Sequence, residues 1–276
     1  MPHLLAVWPQ VQQRLQKARQ VLLLLDYDGT LAPIVDRPHL ASLPQETKDA
    51  LVKLSNRPPA GPGGLSEPKL IIGIISARSL EDVSSKVGIA SLIYAGNHGL
   101  EIRGPDLDFV HPDALKIKDS VDQAYGRLKE ELVGHPGAFV EHKGLSLTVH
   151  YRLVGDEGVE EVKDTVEKTT LRFLESGELV ISPGKMALEI RPNVSWHKGS
   201  AIATIQAGLT LTSTPGDDLV MYFGDDLPDE AGFATAQESG GMGVFVGPAG
   251  QPTCALYRLD SPQEVGHILH LIHQGL

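Results

Sequence analysis

The sequence predicts an α/β fold, an open and mostly parallel sheet with a smaller α+β domain inserted into it. Three observations predict this. Short apolar runs, Val21–Leu25, Leu70–Ile75 and Leu219–Phe223, each end in polar or acidic residues. Strands apolar on both faces belong to sheets covered on both sides, and such sheets bind ligands at the carboxyl ends of their strands. Between about Gly104 and Pro192 the pattern changes to apolar–polar alternation, the mark of a sheet with one covered face. A chain of 276 residues, 41% of them hydrophobic, accommodates one large domain or two moderate ones.

The elements follow in order. Residues from about 10 to 19 read as a polar helix leading into the Val21–Leu25 strand. Leu43–Ser55 reads as a helix with Pro44 at its start and Thr47, Leu51 and Leu54 on one face. Proline and glycine density makes Asn56–Pro68 a surface loop or insertion. The second strand ends at Ser76, a helix follows over Leu80–Val87, and a third run, SLIYAGNHG, again ends in polar residues and glycine. In the middle, Leu145, Leu147, Val149 and Tyr151 share one strand face, opposite Ser146, Thr148, His150 and Arg152. Further on, Met186, Leu188 and Ile190 oppose Lys185, Ala187 and Glu189. Asp156–Glu175 is an amphipathic helix suited to cover the apolar side. Gly243–Gly247 closes the set of core strands. The expected division is a core of residues 1–104 and 192–276 around an inserted domain of 105–191.

Charge and composition exclude several classes. A net charge of −11, from 35 acids against 24 bases, argues against a nucleic-acid partner, which needs a basic footprint. The single cysteine, Cys254, permits no intrachain disulfide and reads as a small buried residue of a reducing compartment. The opening MPHLLAVWPQVQQRL is read as neither a signal peptide nor a membrane span, so a soluble, cytoplasmic protein is expected. His267, His270 and His273 recur at spacing three, without a further ligand, and read as one face of a terminal helix. GGMGVFVG precedes a strand instead of opening a helix, so it is no dinucleotide loop.

The chemistry begins at VLLLLDYDGTL, where a buried strand runs into Asp26 and Asp28. Two acids one residue apart repel each other unless a cation or a reaction holds them there. A second apolar strand ends in Asp225, Asp226 and Asp229. An acidic cluster on two strand tips suits a hard cation such as Mg²⁺, which prefers to share a substrate phosphate. Ser76, at a strand tip before a helix, and Lys198, before another helix, supply the hydrogen-bonding and positive groups a phosphate needs.

Asp26-Tyr27-Asp28-Gly29-Thr30, Ser76, Lys198 and Gly224-Asp225-Asp226 resemble, in order, the four motifs of the haloacid dehalogenase superfamily. The segments LLLLDYDGTLAPI, YAGNHGLEIRGP, VEHKGLSLTVHYR, GKMALEIRPNVSWHKGSA and FGDDLPDEAGF resemble those of trehalose-6-phosphate phosphatases. The resemblance implies a Rossmann-like core of the haloacid dehalogenase type with an inserted α+β cap. It implies that Asp26 is the nucleophile, forming an aspartyl-phosphate, and that Asp28 is the general acid and base. Ser76 and Lys198 would hold phosphoryl oxygens. Mg²⁺ would be held by the Asp26 and Asp225 carboxylates and the Asp28 carbonyl, with Asp226 and Asp229 orienting waters or Lys198. Asn97, His98, Glu141, Lys143, Arg152, Lys185 and Glu189 would contact the sugar. The implied activity is Mg²⁺-dependent hydrolysis of trehalose 6-phosphate, with a trehalose-phosphate synthase as a conceivable partner. The competing readings are a related capped phosphatase of another sugar phosphate, such as a glycosyl-phosphoglycerate or sucrose 6-phosphate, a phosphomutase, or a non-catalytic sugar-phosphate sensor. The sequence departs from the family pattern at Pro228, Ala231 and Ala77.

Overall fold

The computed structural model describes residues 1–35, 37–57, 68–209 and 217–276. Most of the Asn56–Pro68 stretch therefore lies outside the described residues. The rest divides into two compact units, Met1–Phe109 with Trp196–Leu276, and Val110–Ser195.

In the first unit, helix α1 (Trp8–Lys17) leads into strand β1 (Gln20–Asp26), and α2 (Gln45–Ser55) precedes β2 (Lys69–Ile75). Then come α3 (Leu80–Val87), β3 (Ile93–Gly96), β4 (Glu101–Gly104) and β5 (Leu107–Val110). The second unit contributes α4 (Pro112–Lys116), α5 (Lys118–Glu131), β6 (Phe139–His142) and β7 (Leu147–His150). It continues with α6 (Val159–Glu175), β8 (Leu179–Gly184) and β9 (Ala187–Pro192). The chain returns to the first unit with α7 (Lys198–Gly208), β10 (Asp218–Gly224) and α8 (Glu230–Glu238). It ends with β11 (Met242–Val246), β12 (Tyr257–Leu259) and α9 (Pro262–Gly275).

The first unit is built on an eight-stranded sheet ordered β12-β11-β10-β1-β2-β3-β4-β5, with β4 antiparallel to β3. Strand β1 is central and parallel to both neighbours. Its alternate residues serve two cores. Val21, Leu23 and Leu25 pack with residues of α1, α2, α3 and α9. Leu22 and Leu24 pack with Ile202, Ile205 and Phe233 of α7 and α8. This is why the strand reads as a continuous apolar run. Full burial of each such side chain contributes about 1.5–3 kcal/mol, so one charged substitution at Leu24 would break the layer. Register then sets the site. Leu25 pairs with Phe223, Asp26 with Ile75, and Ile75 with Ala95. Asp26, Ser76, Asn97 and Asp225 therefore emerge at one edge.

The second unit holds a four-stranded antiparallel sheet, β6-β7-β9-β8. Leu147, Val149 and Ile190 on one face pack with Val121 and Leu128 of α5 and Val162, Val166 and Phe173 of α6. The alternation in β9 stops sooner than its sequence suggests. Met186 is an exposed turn residue at φ 58°, in the two-residue link between Gly184 and Ala187.

Candidate active site

Asp26 ends β1 and is 4% exposed. The ammonium of Lys198 lies 2.7 Å from its Oδ1 and 2.6 Å from Oδ1 of Asp229. Lys198 is the first residue of α7, where the helix dipole disfavours a cation. Two carboxylates overcome this. Burial lowers the Lys198 pKa, but Asp229 and Asp26 raise it well above the ordinary lysine value. An exposed lysine, the ordinary reading of such a position, is not what is found. Lys198 is 3% exposed.

Asp229 is 0% exposed and accepts four hydrogen bonds. Lys198 and the Tyr222 hydroxyl donate to Oδ1, and the Asp225 and Asp226 amides donate to Oδ2 at 3.0 and 3.1 Å. Burial works against its charge, but Lys198 and these donors hold it below the usual carboxylate range. Gly224 makes the arrangement possible, since a Cβ there would come 2.3 Å from the Asp229 carboxyl carbon. Gly29 does the same beside Asp225. It sits at φ +89°, and a Cβ would lie 2.1 Å from Asp225 Oδ2.

Carboxylate oxygens of Asp26, Asp225 and Asp229 all lie within 4.8 Å of one another. Burial first, and then Asp229, Asp225 and Asp226, push Asp26 well above the usual carboxylate range, with Lys198 opposing. Asp226 is pushed up to about 7, chiefly by burial. Such a concentration of acids beside one lysine is chemically suited to a hard dication. With both Asp229 oxygens already holding two donors each, Asp26 and Asp225 are the better direct ligands.

Asp28 behaves differently from Asp26. Its carboxylate is outside that acidic group and is gripped by Arg78, Nε to Oδ2 at 2.6 Å and Nη2 to Oδ1 at 2.7 Å. Each acid of the pair thus has its own cationic side chain, Lys198 for Asp26 and Arg78 for Asp28. Ser76 is 1% exposed, and its Oγ accepts from the Arg78 amide at 3.2 Å. The loop after β3 is stapled alongside. The Asn97 amide donates to the Arg78 carbonyl, and the His98 amide to the Ser76 carbonyl. Asn97 and His98 both have positive φ, 51° and 57°, an uncommon pair for residues other than glycine. The Asn97 side chain donates to Glu101 at 2.7 Å.

In the second unit, Glu141 pairs with Thr148, Thr148 with Glu189, and Glu189 with Ser182. Glu141 and Glu189 therefore lie in one cross-strand row on the face opposite the helices. Lys143 continues this face, because its amide still pairs with the Ser146 carbonyl. Arg152 and Lys185 do not fit the strand placement expected of them. Strand β7 ends at His150, and Lys185 stands in the β8–β9 turn. Their polar neighbours prolong the alternation past the strand ends. Arg152 Nη2 donates to the Lys185 carbonyl at 3.2 Å. Cys254 also departs from expectation. It is exposed, with its thiol donating to the Glu230 carbonyl. The three terminal histidines form no metal group among the described residues. Sequence reasoning missed Tyr222, hidden inside an apolar run, and Arg78, whose only signal was its place two residues after Ser76.

The sequence matches the trehalose-phosphatase family over residues 24–263. The chain belongs to that family. It is by that membership a phosphatase. It is 30% identical over 264 residues to trehalose-phosphate phosphatase B of Arabidopsis thaliana, covering 92% of this chain and 66% of that one. It is 31% identical to trehalose 6-phosphate phosphatase RA3 of Zea mays, covering 92% of this chain and 70% of that one. Among solved structures, the C-terminal domain of the C. albicans trehalose-6-phosphate phosphatase superposes with a TM-score of 0.75 at 24% identity, covering 100% and 99% of the two chains. The fold is that of the haloacid dehalogenase-like hydrolases. The matched stretch includes Asp26, Ser76, Lys198, Asp225 and Asp229. Among the described residues no helix is long and apolar enough to cross a membrane.

Proposed function

We propose that this chain hydrolyses trehalose 6-phosphate to trehalose and phosphate through an aspartyl-phosphate on Asp26. The observation that carries the reading is the buried Asp26–Lys198–Asp229 chain beside Asp225. A binding protein has no use for a sealed carboxylate held against a lysine at a strand tip, whereas a nucleophile needs fixed direction and a neighbouring positive charge. Asp26 attacks phosphorus, and Asp28 gives a proton to the departing sugar oxygen. Asp28 then takes a proton from the water that attacks the aspartyl-phosphate, returning phosphate and free Asp26. Ser76 and Lys198 hold phosphoryl oxygens, and Asp229 fixes Lys198. Phosphate-monoester hydrolysis is among the slowest uncatalysed reactions, accelerated by enzymes up to ~10²¹-fold, and most of that must come from such positioned charge.

The Asp26 and Asp225 carboxylates and the Asp28 carbonyl are the groups suited to hold Mg²⁺. When bound, the ion supplies charge neutralisation at the phosphoryl oxygens. The second unit takes the part of a cap. Its polar face, with Glu141, Lys143 and Glu189, offers both donors and acceptors, as sugar hydroxyls require. Arg152, Lys185, Asn97 and His98 complete the proposed sugar contacts.

The test is phosphate release from a panel of trehalose 6-phosphate, sucrose 6-phosphate, glucose 6-phosphate and a glycosyl-phosphoglycerate, with Mg²⁺ and with a chelator. Trehalose 6-phosphate should give the highest kcat/KM, and chelation should abolish turnover. If another sugar phosphate leads, the substrate assignment fails. If chelation leaves turnover intact, the metal assignment fails.

A further inference from the structure

The first motif places two acids at the site, and each has its own cation. Arg78 is the one that neither the motifs nor the proposed chemistry uses. An arginine two residues after a phosphate-binding serine invites a simple assignment as a phosphate ligand. Its hydrogen bonds argue otherwise. A guanidinium has five N–H donors. Nε and one Nη2 hydrogen go to the two oxygens of Asp28, Nη1 goes to Asp82 at 2.6 Å, and Nη2 also reaches the Pro38 carbonyl at 2.8 Å. Four of the five donors are thus committed to protein, in the planar fork that suits a carboxylate. The guanidinium carbon also lies 5.3 Å from the centre of the buried Tyr27 ring. The Arg78 side chain is only 9% exposed, while those of Asp28 and Asp82 are 39% and 36% exposed.

We propose that Arg78 is a positioning residue that fixes the direction of the Asp28 carboxylate, and not a ligand of the phosphoryl group. The fork ties together three segments. These are the loop after β1, the turn at Pro38 and the first turn of α3. Helix α3 is itself anchored, because the Ser79 hydroxyl accepts from the Asp82 amide. Asp28 is thereby referred to the sheet through β2 and α3 as well as through β1. This rests on Asp28 being the proton donor of the proposed reaction.

The two assignments separate in kinetics of the full chain. Arg78→Gln and Arg78→Lys are compared with the unmutated enzyme for folding by circular dichroism, for inhibition by inorganic phosphate, and for two substrates. Trehalose 6-phosphate has an alkyl leaving group that needs a proton, whereas p-nitrophenyl phosphate does not in its first step. For Arg78→Gln, kcat with trehalose 6-phosphate should fall by about 10²-fold or more, the scale of a misplaced general acid. The first-turnover burst of nitrophenolate and the inhibition constant for phosphate should stay within about threefold, because uniform phosphate binding is untouched. Arg78→Lys, with one ammonium nitrogen in place of the fork, should recover part of the loss. A phosphate inhibition constant weakened about tenfold or more would make Arg78 a phosphoryl ligand and overturn the proposal. An equal fall for both substrates would make it merely structural and overturn it too. If the Arg78 variants fail to fold, Asp82→Asn removes the brace and leaves the fork. A selective loss with trehalose 6-phosphate then supports positioning, and an equal effect on both substrates refutes it. Asp28→Asn, run alongside, separates this from the proposed function. If it retains trehalose 6-phosphate turnover, the proton-donor assignment fails whatever Arg78 does.

Discussion

Lys198 and Arg78 each stand between two carboxylates, and each takes one of the two acids in the Asp26–Asp28 pair. The first cluster is sealed, with Lys198, Asp26 and Asp229 side chains 4%, 6% and 0% exposed. The second buries only its cation. In the sealed cluster every charge depends on its partners, since each was taken from water and is held by the others and, at Asp229, by the Tyr222 hydroxyl and two backbone amides as well. In the open cluster the carboxylates keep part of their hydration, and the arginine contributes direction more than charge balance. A nucleophile has one task at one place, and the sealed cluster suits it. An acid that must give and then regain a proton needs solvent on one side, as Asp28 has.

The sharpest way to break the comparison is to remove a sealed charge. Lys198→Met leaves Asp26 and Asp229 buried without their cation. Loss of one partner of a buried pair costs about 3–5 kcal/mol, and activity should vanish as well. Thermal melts of the variant and of Asp82→Asn should differ clearly, because the half-exposed Asp82 pair is worth at most about 1 kcal/mol. Equal destabilisation by the two variants would erase the distinction.

Asp225→Asn should come next. It removes an acid whose charge pushes Asp26 up, so stability should hold or rise while the Mg²⁺ concentration for half-maximal activity climbs at least tenfold, or about 1.4 kcal/mol in metal affinity. An unchanged metal requirement would remove Asp225 from the ligand set.

A smaller effect is expected from acid. Asp229 is held below its ordinary carboxylate value in the fold, so its ionised form stabilises the protein. That contribution is fully present above the unfolded value of about 3.9 and is lost as pH falls through the folded one. Asp229→Asn should therefore flatten the acid limb of a stability–pH curve. An unchanged limb would assign acid unfolding to other groups.

The smallest effect concerns Cys254. Partial burial and the Glu230 contact push its thiol up to about 11. Although exposed, it should be alkylated at neutral pH far more slowly than a free thiol of pKa about 8.5. Rapid iodoacetamide labelling at pH 7 would contradict the shift.

Much of this was legible in the sequence, for identifiable reasons. Apolar runs ending in polar or acidic residues marked β1, β2 and β10, and parallel pairing then had to bring their tips together. Arg78 was not legible because its partner is set by register, Asp26 beside Ile75, and not by spacing along the chain. Strands β4 and β5, the last two at one side of the sheet, escaped notice because four-residue strands carrying Glu101, Arg103 and Asp108 offer too little alternation to separate them from loop. Arg152 and Lys185 were placed on strands because polar turn residues prolong a period of two. The buried Lys198 was readable only as one member of a set, since nothing in WHKGSAI announces that its partners are two acids distant in sequence, one ending β1 and one in the turn before α8.

The central claim is that Asp26 takes the phosphoryl group while Asp28, held by its separate cation, moves the protons. Asp28→Asn tests it most directly. Without a base to activate water, this variant should accumulate covalent phosphate when given p-nitrophenyl phosphate, whose departure needs no acid. Rapid acid quenching, borohydride reduction and peptide mass spectrometry should place the modification at Asp26. Modification at another residue, or steady turnover with none at Asp26, would contradict the account.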